Sequence, residues 1–311
     1  MSPLSLGDLP QIQSLTVGVR RLLVVQRVLV LVSNQRLVCC WQKKGAWRWT
    51  AGSLPDDSCR DGQPMQREAI GELLADLLLD AGVVSAEIEL LLPLASAHWR
   101  VLDGVAPSSL ATPDLLRGCL DDLDWPLDNL DQYSTFSVCS ESVLAIGSTR
   151  SMLQAWIDVV EIADLPLRRV DWVLSSALKG LREDGAHWSG DVIWLFPSGP
   201  SVRFILLRAG VPEVDRVIAA ADPVLLRQGL RQSIAAWQSI TSQVVPLGWQ
   251  LSLPESLMDS VLPMIDPDRQ EQLLEHPFPW LGMDALDGPG ADALTAFEQL
   301  ALRGLQEDIY A

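Results

Sequence analysis

The chain has 311 residues and a formal net charge of −17, with 40 Asp and Glu residues against 23 Lys and Arg residues. This charge excludes ordinary nucleic-acid binding, because no basic field is available to neutralise phosphates. Hydrophobic residues make up 48% of the chain and charged residues 20%, a composition that excludes intrinsic disorder and, at this length, predicts about two globular domains.

The first half of the chain predicts a meander of three strands, then a helix and a fourth strand. Apolar, β-branched runs bounded by turns favour strands at 27–33, 37–41, 46–50 and 88–92. Pro64 stands at a favourable first position for the intervening helix, and Gly82 ends it. A second unit follows, with strands at 98–102, 136–139, 143–146 and 169–173 and helices at 113–122, 151–162 and 175–181.

The second half repeats the meander, with predicted strands at 191–196, 202–207 and 212–218. A helix at 223–241, a strand at 247–253 and helices at 254–264 and 291–305 complete the predicted elements. Two meanders with helices between them predict an α/β fold of the actin-like type, with duplicated ribonuclease-H-like domains, an inserted small α/β subdomain and a reduced second half. The predicted divisions are an irregular segment at 1–24, a first domain at 25–189 with its insert at about 94–164, and a second domain at 190–311.

The common catalytic and metal-binding patterns are absent from the sequence. No Gly-x-Ser-x-Gly, Gly-Lys-Ser/Thr or complete Gly-x-Gly-x-x-Gly motif occurs. The three histidines, His98, His187 and His276, are far apart in sequence, and the five cysteines form no Cys-x-x-Cys pair. The sequence therefore predicts a protein that is not an enzyme and that has no metal site and no cofactor.

No targeting or membrane-spanning segment is predicted either. The N-terminus lacks the positive region and the cleavage site of a signal peptide. The most apolar stretch, residues 22–32, is too short to span a bilayer, which needs about 20 residues. We therefore expect a cytoplasmic protein whose membrane association comes through a partner.

Two local features have two interpretations each. Trp47 and Trp49 share one face of a strand, which predicts a core position; a peptide-binding wall is the alternative, because tryptophan is favoured in interface hot spots. The run Gly-Ser-Thr-Arg at 147–150 predicts a helix cap, with an anion site at the helix N-terminus as the alternative.

Several segments follow one another in an order that matches a known family. They are Leu54-Pro55, Gly62 and the helix at 68–79 ending in Ala81-Gly82; 87–93 and Trp99 to Leu102; 143–150, 153–165 and Val170-Asp171; 191–210 with Pro212 and Arg216; and 300–304. Together these segments, over about residues 25–311, resemble the type IV pilus assembly protein PilM, an actin-like family related to the cell-division protein FtsA.

The chain departs from this family at the positions that would hold a nucleotide. Actin-like hairpins carry Asp-x-Gly, in which glycine lets the backbone approach phosphate and the acid organises the metal. Here the first turn is Ser33-Asn34-Gln35 and the second contains Ser198 and Gly199 after Pro197. The adenosine loop expected to carry a glycine pair reads Leu-Ser-Leu-Pro at 251–254. These degenerate positions predict a pseudo-ATPase, and an active ATP-binding protein with unusual loops is the alternative.

The resemblance also implies a partner. PilM-like proteins bind the N-terminal tail of the bitopic inner-membrane protein PilN, so the chain is expected to be a scaffold recruited peripherally to the inner membrane, with other pilus components nearby and no direct membrane insertion. The expected groove lies between residues 25–93 and the insert, with Trp99 and Arg100 at the junction as partner-binding residues. The acidic surface favours a tail with Arg or Lys. A component of the GspL type from type II secretion is the alternative.

Overall fold

The computed structural model describes residues 25–33, 35–44, 46–102, 104–121, 127, 131–139, 141–183, 190–240, 247–266, 268, 271–274, 283–285 and 294–310. The predicted irregular segment at 1–24, Asn34, His187 and His276 lie outside these residues.

The described residues form sixteen strands and seven α-helices. The strands are β1 (Gln26–Val32), β2 (Arg36–Lys43), β3 (Ala46–Ser53), β4 (Cys59–Arg60), β5 (Gln63–Pro64), β6 (Ala86–Leu92), β7 (His98–Leu102), β8 (Gln132–Cys139), β9 (Ser142–Thr149), β10 (Leu167–Trp172), β11 (Asp191–Ser198), β12 (Ser201–Arg208), β13 (Val211–Ala219), β14 (Leu247–Leu251), β15 (Gln272–Leu273) and β16 (Met283–Ala285). The helices are α1 (Arg67–Asp80), α2 (Pro113–Asp121), α3 (Arg150–Ile162), α4 (Val173–Glu183), α5 (Pro223–Ile240), α6 (Glu255–Val261) and α7 (Ala296–Tyr310).

Two sheets repeat one topology. The first has the strand order β10-β6-β1-β2-β3-β16, and the second has the order β15-β14-β11-β12-β13. Each sheet contains a three-stranded antiparallel meander, and two parallel strands extend the sheet from the first strand of that meander. In the first sheet β1 pairs with β6 and β6 with β10; in the second, β11 pairs with β14 and β14 with β15. The predicted duplication of the meander is therefore confirmed, and the two copies lie in separate sheets.

The sequence of the central strands explains their position. β1 is apolar over its last five residues, 28–32, and all five are buried, as expected for a strand that is covered on both faces. Helices α1 and α3 pack together over the first sheet, and α5 packs on the second. Helices α4 and α7 contact each other and share one buried cluster with the first sheet and with Trp194, Phe196, Ile205 and Leu207 of the second.

A third sheet, with the order β7-β9-β8, is built from the middle of the predicted insert. Its outer face packs on α2 through a small core that contains Leu102, Leu116, Leu120 and Val143. Its inner face carries Trp99, Val101, Leu144 and Ile146, which pack on the main core. The insert is thus a small α/β layer attached to the rest of the molecule by one apolar face.

The structure differs from the predicted elements at several points. Pro64 does not begin a helix; it pairs with Cys59 in the short hairpin of β4 and β5, and α1 begins at Arg67. The last helix spans 296–310 instead of 291–305. The short strands β15 and β16 carry too few residues for a periodic pattern to predict them.

Some contacts also depart from the predicted divisions. Helix α3 lies within the predicted insert, but it packs against α1 of the first sheet. Strand β16 and helix α7 lie within the predicted second domain, but β16 pairs with β3 and α7 packs on α4. The chain therefore returns to the first half of the molecule after it has built the second sheet.

Candidate functional site

The described residues of the first predicted phosphate turn, between β1 and β2, use their backbone groups in hydrogen bonds within the protein. The Ser33 hydroxyl accepts hydrogen bonds from the backbone N–H groups of Gln35 at 3.2 Å and Arg36 at 3.0 Å. The Gln35 carbonyl accepts from the N–H of Leu54 at 2.7 Å. A phosphate in such a turn would need free N–H groups, and two of them already donate to Ser33.

The same turn is tied to the C-terminal helix by a charged pair. Arg36 donates from Nε to one oxygen of Glu298 at 3.0 Å and from its guanidinium to the other oxygen. Glu298 also accepts from the N–H of Thr295 at 2.8 Å, and the Thr295 hydroxyl accepts from the N–H of Glu298 at 3.2 Å. This reciprocal pair is a capping box that begins α7, so one carboxylate holds both the turn and the helix start.

The second predicted phosphate turn is a two-residue hairpin. Ser198 at the end of β11 is the register partner of Ser201 at the start of β12, so only Gly199 and Pro200 form the turn. Gly199 has φ +60°, as the first central position of a type II′ turn requires. Pro200 has no N–H, so this turn offers a phosphate fewer donors than an ordinary hairpin.

The predicted adenosine loop, which follows β14, is closed. Ser252 is fully buried; its N–H donates to the carbonyl of Leu195 at 2.8 Å, and its hydroxyl accepts from Nε1 of Trp194 at 3.1 Å. Trp194 contacts Phe196 with the ring centres 4.6 Å apart, and Phe196 stacks on Phe297 of α7 at 4.4 Å. Aromatic rings thus fill the contact between the second sheet and the C-terminal helix.

A buried carboxylate lies where the parallel strands of the first sheet end. Asp171, near the end of β10, accepts from the N–H of Trp172 at 2.8 Å, the hydroxyl of Ser175 at 2.7 Å and the guanidinium of Arg169 at 2.7 Å. Burial raises the pKa of the nearby Tyr133, the negative charge of Asp171 raises it further, and Arg169 lowers it. These three hydrogen bonds hold Asp171 at the start of α4, so its role is structural.

Trp99 and Arg100 line a cleft of about 900 Å³. The groove predicted for them lies between residues 25–93 and the insert, but in the structure the cleft has β7 on one side and β12 and β13 on the other. Trp99 and Arg100 therefore face the second half of the molecule. The prediction that they bind a partner stays a prediction.

The base of the cleft joins the insert to the second sheet. Trp99 donates from Nε1 to Asp215 at 3.0 Å. Asp215 is itself held by Arg203, which donates from Nε at 2.7 Å and also from its terminal nitrogen. A second link joins Cys139, whose Sγ donates to the carbonyl of Gly210 at 3.3 Å.

The charge of the cleft differs from that of the whole chain. Its lining contains Arg100, Arg203 and Arg208 against Glu213 and Asp215, with His98 at the rim, whereas the chain carries a net charge of −17. Sequence analysis did not single out Arg203 and Asp215. Their contact could have been predicted from their opposite charges on neighbouring strands of one predicted meander. In the register of β12 and β13 they are diagonal neighbours, two residues away from being directly opposite.

The remaining predicted features have structural roles. Trp47 and Trp49 are buried in the core. Residues 47–49 of β3 pair with Met283–Ala285 of β16. Thr149 caps α3, since its hydroxyl accepts from the N–H of Met152 at 3.3 Å. Within the described ranges, no three His, Cys, Asp or Glu side chains are grouped so that they could hold a metal ion. The helices in the described part of the chain are too short or too polar to cross a bilayer.

The strand order and the helices between the sheets define an actin-like fold, and solved structures agree. A structure described as the PilM-PilN type IV pilus biogenesis complex is similar with a TM-score of 0.66 at 14% identity, over 91% of this chain and 98% of that chain. The cytoplasmic domain of EpsL, an inner-membrane component of the type II secretion system of Vibrio cholerae, gives 0.48 at 13% identity over 90% and 95%.

A Bacteroides thetaiotaomicron protein described as having an actin-like ATPase fold and unknown function gives a TM-score of 0.48 at 8% identity, over 89% of this chain and 95% of that chain. No protein-family model matches the sequence. No curated protein matches it either. The predicted fold class is confirmed, and the likeness to the structure described as the PilM-PilN complex extends over nearly the full length of both chains.

Proposed function

We propose that this protein is a non-enzymatic scaffold of a type IV pilus or of a related secretion machine, held at the inner membrane by the tail of a PilN-like protein. The observation that carries the proposal is the end-to-end likeness to the structure described as a PilM-PilN complex, which covers 98% of that chain. Both sheets and the insert must contribute to a match of that extent, so the whole architecture is shared.

The pseudo-ATPase part of the proposal is supported by the three closed nucleotide elements. Ser33 accepts from the N–H groups of Gln35 and Arg36 in the first turn, the second turn contains Pro200, and Ser252 is buried after β14. A Mg²⁺ ion bound with a nucleotide needs carboxylates or waters held by them, and neither turn has an acidic residue. These features support a protein that acts by binding, without hydrolysis.

The first experiment measures nucleotide binding. A ligand that binds only the folded state raises its stability by about 2.7 kcal/mol when it is present at 100 times its Kd. We expect the melting temperature to be the same with and without millimolar Mg·ATP or Mg·ADP. A rise that depends on nucleotide concentration, with calorimetric heat of binding, would show an active nucleotide site and reject the pseudo-ATPase assignment.

The second experiment measures tail binding. Labelled N-terminal tail peptides from the bitopic pilus proteins of the same organism are titrated against the purified chain, with anionic liposomes that contain no protein as the control. We expect saturable binding to one tail and none to the liposomes, because a net charge of −17 is repelled by an anionic surface. Binding to bare liposomes at physiological salt, with no response to any tail, would reject the scaffold role.

A further inference from the structure

Two sheet edges face each other across the cleft. Strand β7 ends the three-stranded sheet and β13 ends the second sheet, and among the described residues neither has a strand partner on its outer side. Residues of both strands line the same space. The outer edge of a strand presents unpaired N–H and C=O groups, which can pair with an added strand.

The backbone of β7 shows which groups point outward. The carbonyl of Trp99 accepts a hydrogen bond from the guanidinium of Arg100 at 2.9 Å, so this carbonyl points away from β9. Because alternate residues of an antiparallel strand direct their polar groups to the same side, Val101 presents the next outward pair. A segment added here would replace the hydrogen bond that Arg100 now makes with its own strand.

The side chains beside this edge include an exposed cation, Arg100. Arg100 is exposed and has no carboxylate partner among the described residues, and His98 two residues earlier is also exposed. On the opposite wall, Arg208 is shared between Asp191 at 3.8 Å and Glu213 at 3.3 Å. The unpaired charge in the cleft is therefore positive and belongs to the wall formed by β7, whereas the charges beside the edge of β13 are paired.

We propose that the cleft binds an extended peptide segment that adds to β7 as a strand and presents a carboxylate to Arg100. This inference rests on the proposed function, since it assigns a site and a chemistry to the partner segment. The net charge alone favours a basic tail, whereas the contacts in the cleft select an acidic residue within the bound segment. The five residues of β7 are about 16 Å long, and the cleft volume of about 900 Å³ lies in the range of ordinary ligand sites.

The occupant also touches both halves of the molecule. One wall belongs to the insert and the other to β12 and β13, and the Trp99–Asp215 hydrogen bond closes the base between them. A bound segment thus adds a connection between the insert and the second sheet beyond the hydrogen bonds of Trp99 and Cys139.

The test is a selection from a phage-displayed library of random nine-residue peptides against the full chain. Enriched peptides are synthesised, labelled and titrated by fluorescence anisotropy. We expect them to contain Asp or Glu and to lack proline, and to bind at least tenfold more weakly to the variants Arg100→Glu and Arg100→Gln. The matched control is Arg231→Glu, which makes the same charge change on the exposed side of α5 and is expected to bind as the parent does.

A second measurement is hydrogen exchange with and without the selected peptide. We expect the amides of Trp99 and Val101 to exchange more slowly in the complex, and the melting temperatures of the variants show whether they are folded. Failure to enrich peptides, enrichment of basic peptides, or equal affinity for parent and Arg100 variants overturns the proposal. Self-association of the chain that Arg100→Glu abolishes identifies a second copy as the occupant and also overturns it.

The outcomes separate this proposal from the scaffold role. If acidic peptides bind in a way that depends on Arg100 but no pilus tail binds, the proposal for the cleft is supported and the scaffold role is rejected. If a tail binds the parent and Arg100→Glu equally well, the scaffold role is supported and the proposal that the cleft binds the tail is rejected.

Discussion

Glu298 performs two tasks with one carboxylate: it completes the capping box of α7 and pairs with Arg36 of the first turn. The two side chains of the pair are only 13% and 18% exposed, so the loss of one partner leaves a partly buried charge without compensation. We expect Glu298→Ala to lower the free energy of unfolding by about 2–4 kcal/mol, measured by urea denaturation at pH 7.

Glu255 provides the matched control, because it is also in the first turn of a helix but is exposed. Glu255→Ala should change the free energy of unfolding by about 0.5 kcal/mol or less. Equal effects of the two substitutions would show that the Arg36 pair and the cap contribute nothing beyond a carboxylate near a helix N-terminus.

Asp191 gives a prediction for pH. Burial raises its pKa above 3.8, the charge of Arg208 lowers it and that of Glu213 raises it, with a net rise. The folded protein therefore holds this proton more tightly than the unfolded chain does, so the contribution of Asp191 to stability falls as pH rises from about 3.8 through the raised pKa. We expect Asp191→Asn to melt higher than the parent at pH 7, with a difference that shrinks as pH falls toward 3.8.

The control for this pH series is Asp259→Asn, which changes an exposed carboxyl on α6. Its melting temperature should follow that of the parent across the same range. A constant difference between Asp191→Asn and the parent at every pH would mean that packing, and not ionisation, causes the effect.

At the scale of the elements, α4 and α7 contact each other backbone to backbone at two glycines. A Cβ atom on Gly304 of α7 would lie 1.8 Å from the carbonyl oxygen of Ser176, and one on Gly180 of α4 would lie 2.1 Å from that of Leu300. These atoms are backbone and cannot rotate away. We expect Gly304→Ala to lower the free energy of unfolding by at least about 3 kcal/mol, or to prevent folding.

Gly118 of α2 is the control, because a Cβ atom there would meet nothing within 4 Å. Gly118→Ala should stabilise the protein by up to about 1 kcal/mol, the difference in helix propensity between the two residues. Thermal melts of both variants make the comparison. A Gly304→Ala protein as stable as the parent would show that α4 and α7 can separate without loss.

The elements that the sequence predicts well are those whose pattern is local. The apolar runs of β1 and β11 and the helical spacing of α3 were predicted to within about two residues at each end. Pro64 was misassigned because a proline suits a helix start and a short hairpin equally well, and the pairing with Cys59 decided between them. Strands of two or three residues, such as β16, depend on a partner that is distant in sequence.

At the scale of the whole molecule, the Trp99–Asp215 hydrogen bond connects the insert with the second sheet across 116 residues of sequence. Trp99→Phe keeps the ring but removes the donor, and Asp215→Ala removes the acceptor. A double-mutant cycle on unfolding should give a coupling of about 1–2 kcal/mol, because the bond is made to a charged group and is partly buried. Zero coupling would mean that the Trp99–Asp215 hydrogen bond does not help to hold the insert on the second sheet.

The location of the cleft could not be predicted from the sequence, because it depends on contacts between residues that are distant along the chain. The order of strands and helices indicates two meanders and an insert, so the fold follows from sequence pattern. Which wall Trp99 faces depends on how the insert lies against β12 and β13, and no local pattern contains that information. Likewise, Arg36 and Glu298 are 262 residues apart, so the closure of the first turn is visible only in three dimensions.

The return of the chain to the first half has a mechanical consequence. The second sheet is entered at Asp191 and its last strand ends at Leu273, whereas β16 and α7 lie against β3 and α4. Tension applied between residues 25 and 310 is therefore carried by the contacts of α7 with α4 and of Phe297 with Trp194 and Phe196 of β11, and β12 and β13 bear no load until those contacts break. This arrangement would keep β12 and β13, one wall of the cleft, undistorted while the ends of the chain are pulled.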